Sequence, residues 1–178
     1  PQAPLGHFVT TPGPIMAAVD TAWVTLTGRG GHGAYPHDCI DPIPAAVSIA
    51  AALQTIVSRN VNPLKEAVVS VTEIHAGTAS NIIPETARLT ATIRSFDPDV
   101  RNLLKRRFHE IVEGIAAAHN VTAEVAYDWG YPATVNSAHE ARLGADAATE
   151  IVGEAHVDRD PPPFMGSEDF AFMLQQRP

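Results

Sequence analysis

One cysteine in 178 residues leaves no partner for an internal disulfide, so Cys39 points to a reducing, cytoplasmic setting. It also leaves no second thiolate for a metal site, and Cys39 reads as a small apolar filler. Long apolar runs are lacking as well. Residues 45–57 come nearest, but they include Ser48, Gln54 and Thr55 and fall short of the roughly 18 residues a membrane span needs. Positive charge is sparse: 12 Lys and Arg stand against 20 Asp and Glu, a formal net charge of −8. That argues against nucleic acid or an anionic membrane as a partner, since both need a basic face. Repeats and low-complexity stretches are absent. The opening PQAPLGHFVTTPGP has no apolar core behind a basic end, so no signal peptide is expected.

What is present is an ordinary globular composition, 45% hydrophobic, with strong local patterning. Pro1, Pro4, Pro12 and Pro14 make residues 1–18 an extended connector or edge strand. Over residues 19–27, Ala22, Val24 and Leu26 alternate with Thr21, Trp23, Thr25 and Thr27, a half-buried strand. Asp41 is a good N-cap and Pro42 fits the first turn of a helix expected to run to Arg59. Residues 67–75 read as a second strand. Ala87, Leu89, Ala91 and Ile93 alternate with Arg88, Thr90, Thr92 and Arg94, giving a third.

Pro98 and Asp99 open a second helix with an apolar stripe from Val100 to Ile115, and its cluster Lys105, Arg106 and Arg107 reads as a solvated face. Residues 121–128 alternate as a fourth strand. The order strand, helix, strand, strand, helix, strand is the split βαβ, ferredoxin-like arrangement. It predicts an α+β, two-layer fold with two helices on one face of a four-stranded antiparallel sheet. Beyond it, residues 129–137 read as irregular, residues 139–152 as a helix capped by Ser137, and residues 155–163 as a loop.

Three constellations can carry chemistry. In residues 27–42, TGRGGHGAYPHDCIDP, four glycines surround His32 and His37. Glycine permits backbone angles closed to other residues, and imidazole donates, accepts or binds metal near neutral pH. Asn81 lies in a turn and Arg94 ends the third strand, an amide suited to a carbonyl and a guanidinium suited to a carboxylate. Gly166, Ser167 and Glu168 form a turn at a helix start, either a carboxylate site or a simple cap. His75, His109, His119, His139 and His156 show no metal spacing, and nothing near His7 corroborates it.

Together, PGPIMAAVDTAWVTLTGRGGHGAYPHDCIDPI, GTASNIIPETARLTATIRSFD and PPPFMGSEDFAFML resemble the M20 family of metal-dependent amidohydrolases and peptidases, nearest its hippurate hydrolase and N-acyl-amino-acid branch. The resemblance implies a catalytic domain interrupted by a ferredoxin-like lid that also forms a homodimer. The lid would be residues 19–130, with residues 1–18 and 131–178 as partial segments of an α/β catalytic domain. It implies an N-acyl amino acid or similar small amide as substrate, attacked by a metal-bridging water with a glutamate as general base. His32 would stabilise the oxyanion in the partner's site. Asn81 and Arg94 would contact substrate, and residues 166–168 would line its pocket.

The family's metal ligands and its general base match nothing in this chain. Zinc or manganese is therefore expected in a longer parent and not on this piece's own ligands, and the piece alone is expected to be inactive. The start without Met and the end on QQRP fit that expectation of two cut ends. A stand-alone amino-acid-binding module of ferredoxin-like fold is the other reading.

Overall fold

The computed structural model describes residues 3–177. In chain order the elements are β1 (Phe8–Val9), β2 (Gly13–Met16), β3 (Ala18–Thr27), β4 (Gly31–His32), α1 (Pro42–Leu53), α2 (Thr55–Asn60), β5 (Ala67–Ala76), β6 (Ile82–Ile83) and β7 (Thr86–Ser95). They continue with α3 (Pro98–Ala118), β8 (Thr122–Trp129), β9 (Thr134–Asn136), α4 (Ala138–Val152), β10 (Val157–Asp158) and α5 (Phe170–Gln176). The chain forms two compact units. One is Asp20–Gly130, and the other joins the segments before and after it.

Within Asp20–Gly130, a four-stranded antiparallel sheet has the order β5-β7-β3-β8. Period-two alternation decides which face is covered. Ala22, Val24 and Leu26 of β3 and Ala87, Leu89, Ala91 and Ile93 of β7 are buried in one core with Ile49 and Leu53 of α1 and Leu104, Phe108 and Val112 of α3. Each such Leu, Ile or Phe contributes roughly 1.5–3 kcal/mol by leaving water. The opposite face carries the threonines, with Trp23 45% exposed among them.

Both helices begin where the sequence expects. The Asp41 carboxylate accepts the Ile43 N–H at 2.9 Å. Asp97, one residue ahead of the expected start, accepts from Asp99 and Val100 at 2.8 and 3.1 Å. The expected single helix to Arg59 is two, because the turn breaks at Gln54, where the Thr55 hydroxyl donates to the Ala52 carbonyl at 2.7 Å. Such back-bonding competes with the helical ladder. Lys105 also departs from a plain solvated face, since its ammonium lies 5.2 Å from the Tyr127 ring centroid and 4.6 Å from that of Trp129. Arg106 and Arg107 pair with Glu110 on the exposed side.

Alternation gave no hint of Asp20, a carboxylate on the core face of β3 that is only 1% exposed. Its Oδ1 accepts from Arg101 Nε of α3 at 2.9 Å, and its Oδ2 accepts from the Tyr127 hydroxyl of β8 at 2.8 Å. Arg101 also donates to the Gly130 carbonyl at 3.3 Å and lies 4.8 Å from the Trp129 ring centroid. A buried charge is tolerable only with such partners. Burial, then the Asp20 charge and the hydrogen bond to it, push the Tyr127 hydroxyl well above the ordinary tyrosine range.

In the other unit, β2 pairs antiparallel with β9, and β1 pairs parallel with β10. Both β9 and β10 correct the irregular and loop readings of those stretches; strands of three and two residues are too short to display a period. The Ser137 cap on α4 is present, accepting the Glu140 N–H at 3.5 Å. The buried cluster here is small, Ala145, Ala148 and Val157, while Leu143, Ile151, Phe172 and Met173 remain exposed.

Removing one partner of a buried ion pair typically costs about 3–5 kcal/mol, so Arg101→Ala should lower stability by that order in chemical denaturation. Asp20→Asn keeps the shape and an acceptor for Tyr127, and should cost less. The raised Tyr127 pKa has a definite sign. Unfolded chains ionise tyrosine near 10.0, whereas the fold holds it neutral, so this stabilisation is fully present below that pH and is lost progressively as the pH climbs from there toward the raised folded value. The stability gap between the native chain and Tyr127→Phe should hold steady up to about pH 9.5, begin to narrow near about pH 10, and go on narrowing as the pH rises further. A gap independent of pH would show that the Tyr127 proton is not coupled to folding.

Candidate functional site

The glycine loop is built by close backbone packing, not by unusual backbone angles. Among the described glycines, positive φ occurs at Gly6, Gly13, Gly77 and Gly153, and at none of the loop's glycines. A methyl at Gly28 would stand 2.0 Å from the Ile40 carbonyl oxygen, and one at Gly30 would stand 2.8 Å from the Ile83 carbonyl oxygen. At Gly31 it would meet the Cys39 sulfur at 2.6 Å. Side chains are excluded because other parts of the chain already fill those places.

Hydrogen bonds tie the loop at each end and in the middle. Arg29 and Ile40 exchange both backbone bonds at 2.9 Å, and Gly28 N–H donates to the Glu85 carbonyl at 2.8 Å. The β4–β6 ladder sets Gly31 opposite Ile83 and His32 opposite Ile82, and Gly33 N–H donates to the Asn81 carbonyl at 2.8 Å. His32 is thus held beside the Asn81 turn, and both side chains are exposed. The His32 Nδ1 accepts the Ala34 N–H at 3.1 Å, and its ring centroid lies 5.8 Å from that of Tyr35. His37 sits apart on the exposed side of the same loop, 3.7 Å from the Asp38 carboxylate.

Arg94 lies elsewhere. Asn81 precedes β7, and Arg94 is next to its last residue, opposite Val68 of β5. Eight strand steps from Thr86 to Arg94 span roughly 27 Å at about 3.4 Å each. Arg94 is half-buried on the uncovered face, and its Nε donates to the Thr92 hydroxyl at 3.4 Å. The structure therefore joins His32 to Asn81 and separates both from Arg94.

Gly166, Ser167 and Glu168 belong to the other unit. The Gly166 carbonyl accepts the Ala17 N–H at 2.8 Å. Glu168 Oε1 accepts the Asp169 N–H at 3.0 Å, so one amide at this turn is already matched to the chain's own carboxylate. In the same unit, the rings of His7 and His156 meet edge to face at 4.8 Å. Among the described residues no three His, Cys, Asp or Glu side chains converge as a metal-binding set. No described helix is long and apolar enough to cross a membrane.

A family model described as the M20 peptidase dimerisation domain matches residues 19–120. The chain belongs to the M20 peptidase family. This M20 chain is 41% identical over 178 residues to the N-acetyl-L-cysteine deacetylase of Bacillus subtilis strain 168, covering all of the chain and 42% of that protein. It is 36% identical over 170 residues to the hippurate hydrolase of Campylobacter jejuni, covering 96% of the chain and 44% of the relative. A dinuclear metal-binding M20 peptidase from Bacillus subtilis superposes with a TM-score of 0.77 at 29% identity, covering 100% of this chain and 44% of that one. The M20 chain thus spans well under half the length of these relatives.

Sequence reasoning singled out His32 and Asn81, which the structure places side by side, but missed the groups that hold them there, because a backbone N–H leaves no mark on composition. The Gly31–Cys39 contact gives a direct test of the packing role. Gly31→Ala should be destabilising by about 1–3 kcal/mol in thermal or chemical denaturation, the usual cost of overpacking. In a Cys39→Ala background most of that cost should vanish, since the obstructing sulfur is gone. An undiminished cost would mean that Gly31 is needed for its backbone freedom.

Proposed function

We propose that this chain is the dimer-forming and substrate-gripping part of an M20 amidohydrolase. Its parent hydrolyses the amide bond of an N-acyl amino acid or a similar small amide. Residues 19–130 are the lid and dimerisation domain, and residues 1–18 and 131–178 belong to the catalytic domain. The small core and exposed apolar side chains of the flanking unit support this assignment, because they are what remains when the rest of a core is supplied elsewhere. The parent carries zinc or manganese. The family's metal ligands match nothing in this sequence, which supports placing the ion on the rest of the parent. The single cysteine supports a cytoplasmic site of action.

The observation that carries the reading is the length of β7. A small substrate cannot touch His32 and Arg94 of one lid when a ten-residue strand holds them apart. In a two-fold dimer each lid can serve two sites. Arg94 grips the carboxylate of the substrate in its own protomer's site, while His32, with Asn81, reaches the partner's. When water attacks the amide carbonyl, the His32 Nε2–H donates to the oxyanion, and Asn81 holds the acyl portion. Residues 166–168 line the pocket.

In the full-length parent, His32→Ala should lower kcat by about 10²–10³-fold with KM nearly unchanged, as loss of an oxyanion donor does. Arg94→Ala should chiefly raise KM. Mixing the two impaired variants, assayed at substrate well below the KM of the Arg94 variant, decides the geometry. A mixed dimer has one site with both groups intact and one with neither, so activity should return as subunits exchange. With exchange confirmed by mass spectrometry, a mixture that gains no activity would show that a single protomer supplies both residues to each site.

A further inference from the structure

Residues 33–35 each have their backbone N–H committed to a local acceptor. Gly33 N–H goes to the Asn81 carbonyl, Tyr35 N–H to the His32 carbonyl at 2.9 Å, and Ala34 N–H to the His32 ring itself at 3.1 Å. We propose that the Ala34 amide is the positioning group of the site: by donating to Nδ1 it fixes the tautomer of His32, so that the neutral ring carries its proton on Nε2. An imidazole nitrogen that accepts a hydrogen bond holds no proton, so the other nitrogen must be the donor. The inference rests on the oxyanion reading of His32 for its purpose, and on the Ala34 hydrogen bond for its content.

The arrangement has a chemical consequence. A histidine free to exchange tautomers offers the oxyanion a donor part of the time and a repelling lone pair the rest. With Nδ1 engaged, the outward nitrogen is always a donor and the ring plane is fixed by the turn. The same bond explains why exposure does not imply freedom here. His32 faces solvent, but its ring is tied two residues along the chain, as short polar side chains are tied in turns.

The test is nuclear magnetic resonance on the 178-residue chain, with no substrate and no metal required. Nitrogen-labelled protein near pH 7.5, in the neutral range of imidazole, should show His32 in the Nε2–H form only, with a scalar coupling between the Ala34 amide nitrogen and His32 Nδ1. Exposed His37, whose ring accepts no backbone N–H among the described residues, is the internal comparison and should show no such coupling. Ala34→Gly keeps the N–H and should leave the His32 signals in place. Ala34→Pro removes it and should abolish the coupling and bring in the second tautomer. A proton on Nδ1 in the native chain, or no coupling to Ala34, would overturn the proposal whether or not the proline variant folds. An unchanged tautomer in a folded Ala34→Pro chain would overturn it too. The outcome is separate from the oxyanion reading: if the coupling is present and His32→Ala retains full turnover, the tautomer stands and its catalytic purpose falls.

Discussion

Burial of one face of the β5-β7-β3-β8 sheet beneath α1 and α3 is the constraint that the rest of Asp20–Gly130 obeys. Once Ala87, Leu89, Ala91 and Ile93 face the helices, Arg88, Thr90, Thr92 and Arg94 must face away. A one-residue slip of β7 would put Arg94 into the core, where an unpaired guanidinium is prohibitive. The face and the end of the sheet on which Arg94 sits therefore follow from packing. The spatial separation of Arg94 from His32 is inherited from the same source, because a paired, half-buried strand is a stiff ruler.

The glycine loop works on a different physical basis. Ile40 packs against the core of the sheet, but the turn around His32 is held by other means. It is held by backbone groups meeting backbone groups, at distances only hydrogen side chains allow. Gly28, Gly30 and Gly31 each give their place to something specific: the Ile40 carbonyl, the Ile83 carbonyl and the Cys39 sulfur. This reverses the intuition that glycine confers mobility on a catalytic loop. Cys39, unremarkable as a thiol, is part of the same fitting, and its sulfur leans toward the Tyr35 carbonyl at 3.5 Å.

Much of this was legible in the sequence. Alternation marked β3, β7 and β8, and helical spacing with Asp41, Pro42 and Pro98 marked α1 and α3, so the split βαβ order could be read before any coordinates. The histidine within its glycines and the amide in the following turn marked two residues that the β4–β6 ladder brings together. Three things were not legible. Asp20 breaks the apolar pattern of its own face, and only the contacts of Arg101 and Tyr127, 81 and 107 residues away, account for it. The distance between Arg94 and His32 needs strand direction and register, which no local pattern encodes. The turn at residues 166–168 offered a carboxylate site or a cap, and Glu168 supplies its own carboxylate to one of the amides there.

Asp20 and Trp129 stand opposite each other in the β3–β8 ladder, one near the entry to the Asp20–Gly130 unit and the other near its exit. Paired residues on antiparallel strands have Cα atoms about 4.5–5.5 Å apart. A polypeptide that acquires this unit at an internal position needs to open a gap of only that width, and one that sheds it can close the gap with a short turn. The unit has the geometry of a cassette: its two ends are neighbours, its core is its own, and its removal asks almost nothing of the backbone that hosts it. Lineages can gain, lose or exchange such a piece by a single splice in the gene, and retain a host chain that still closes.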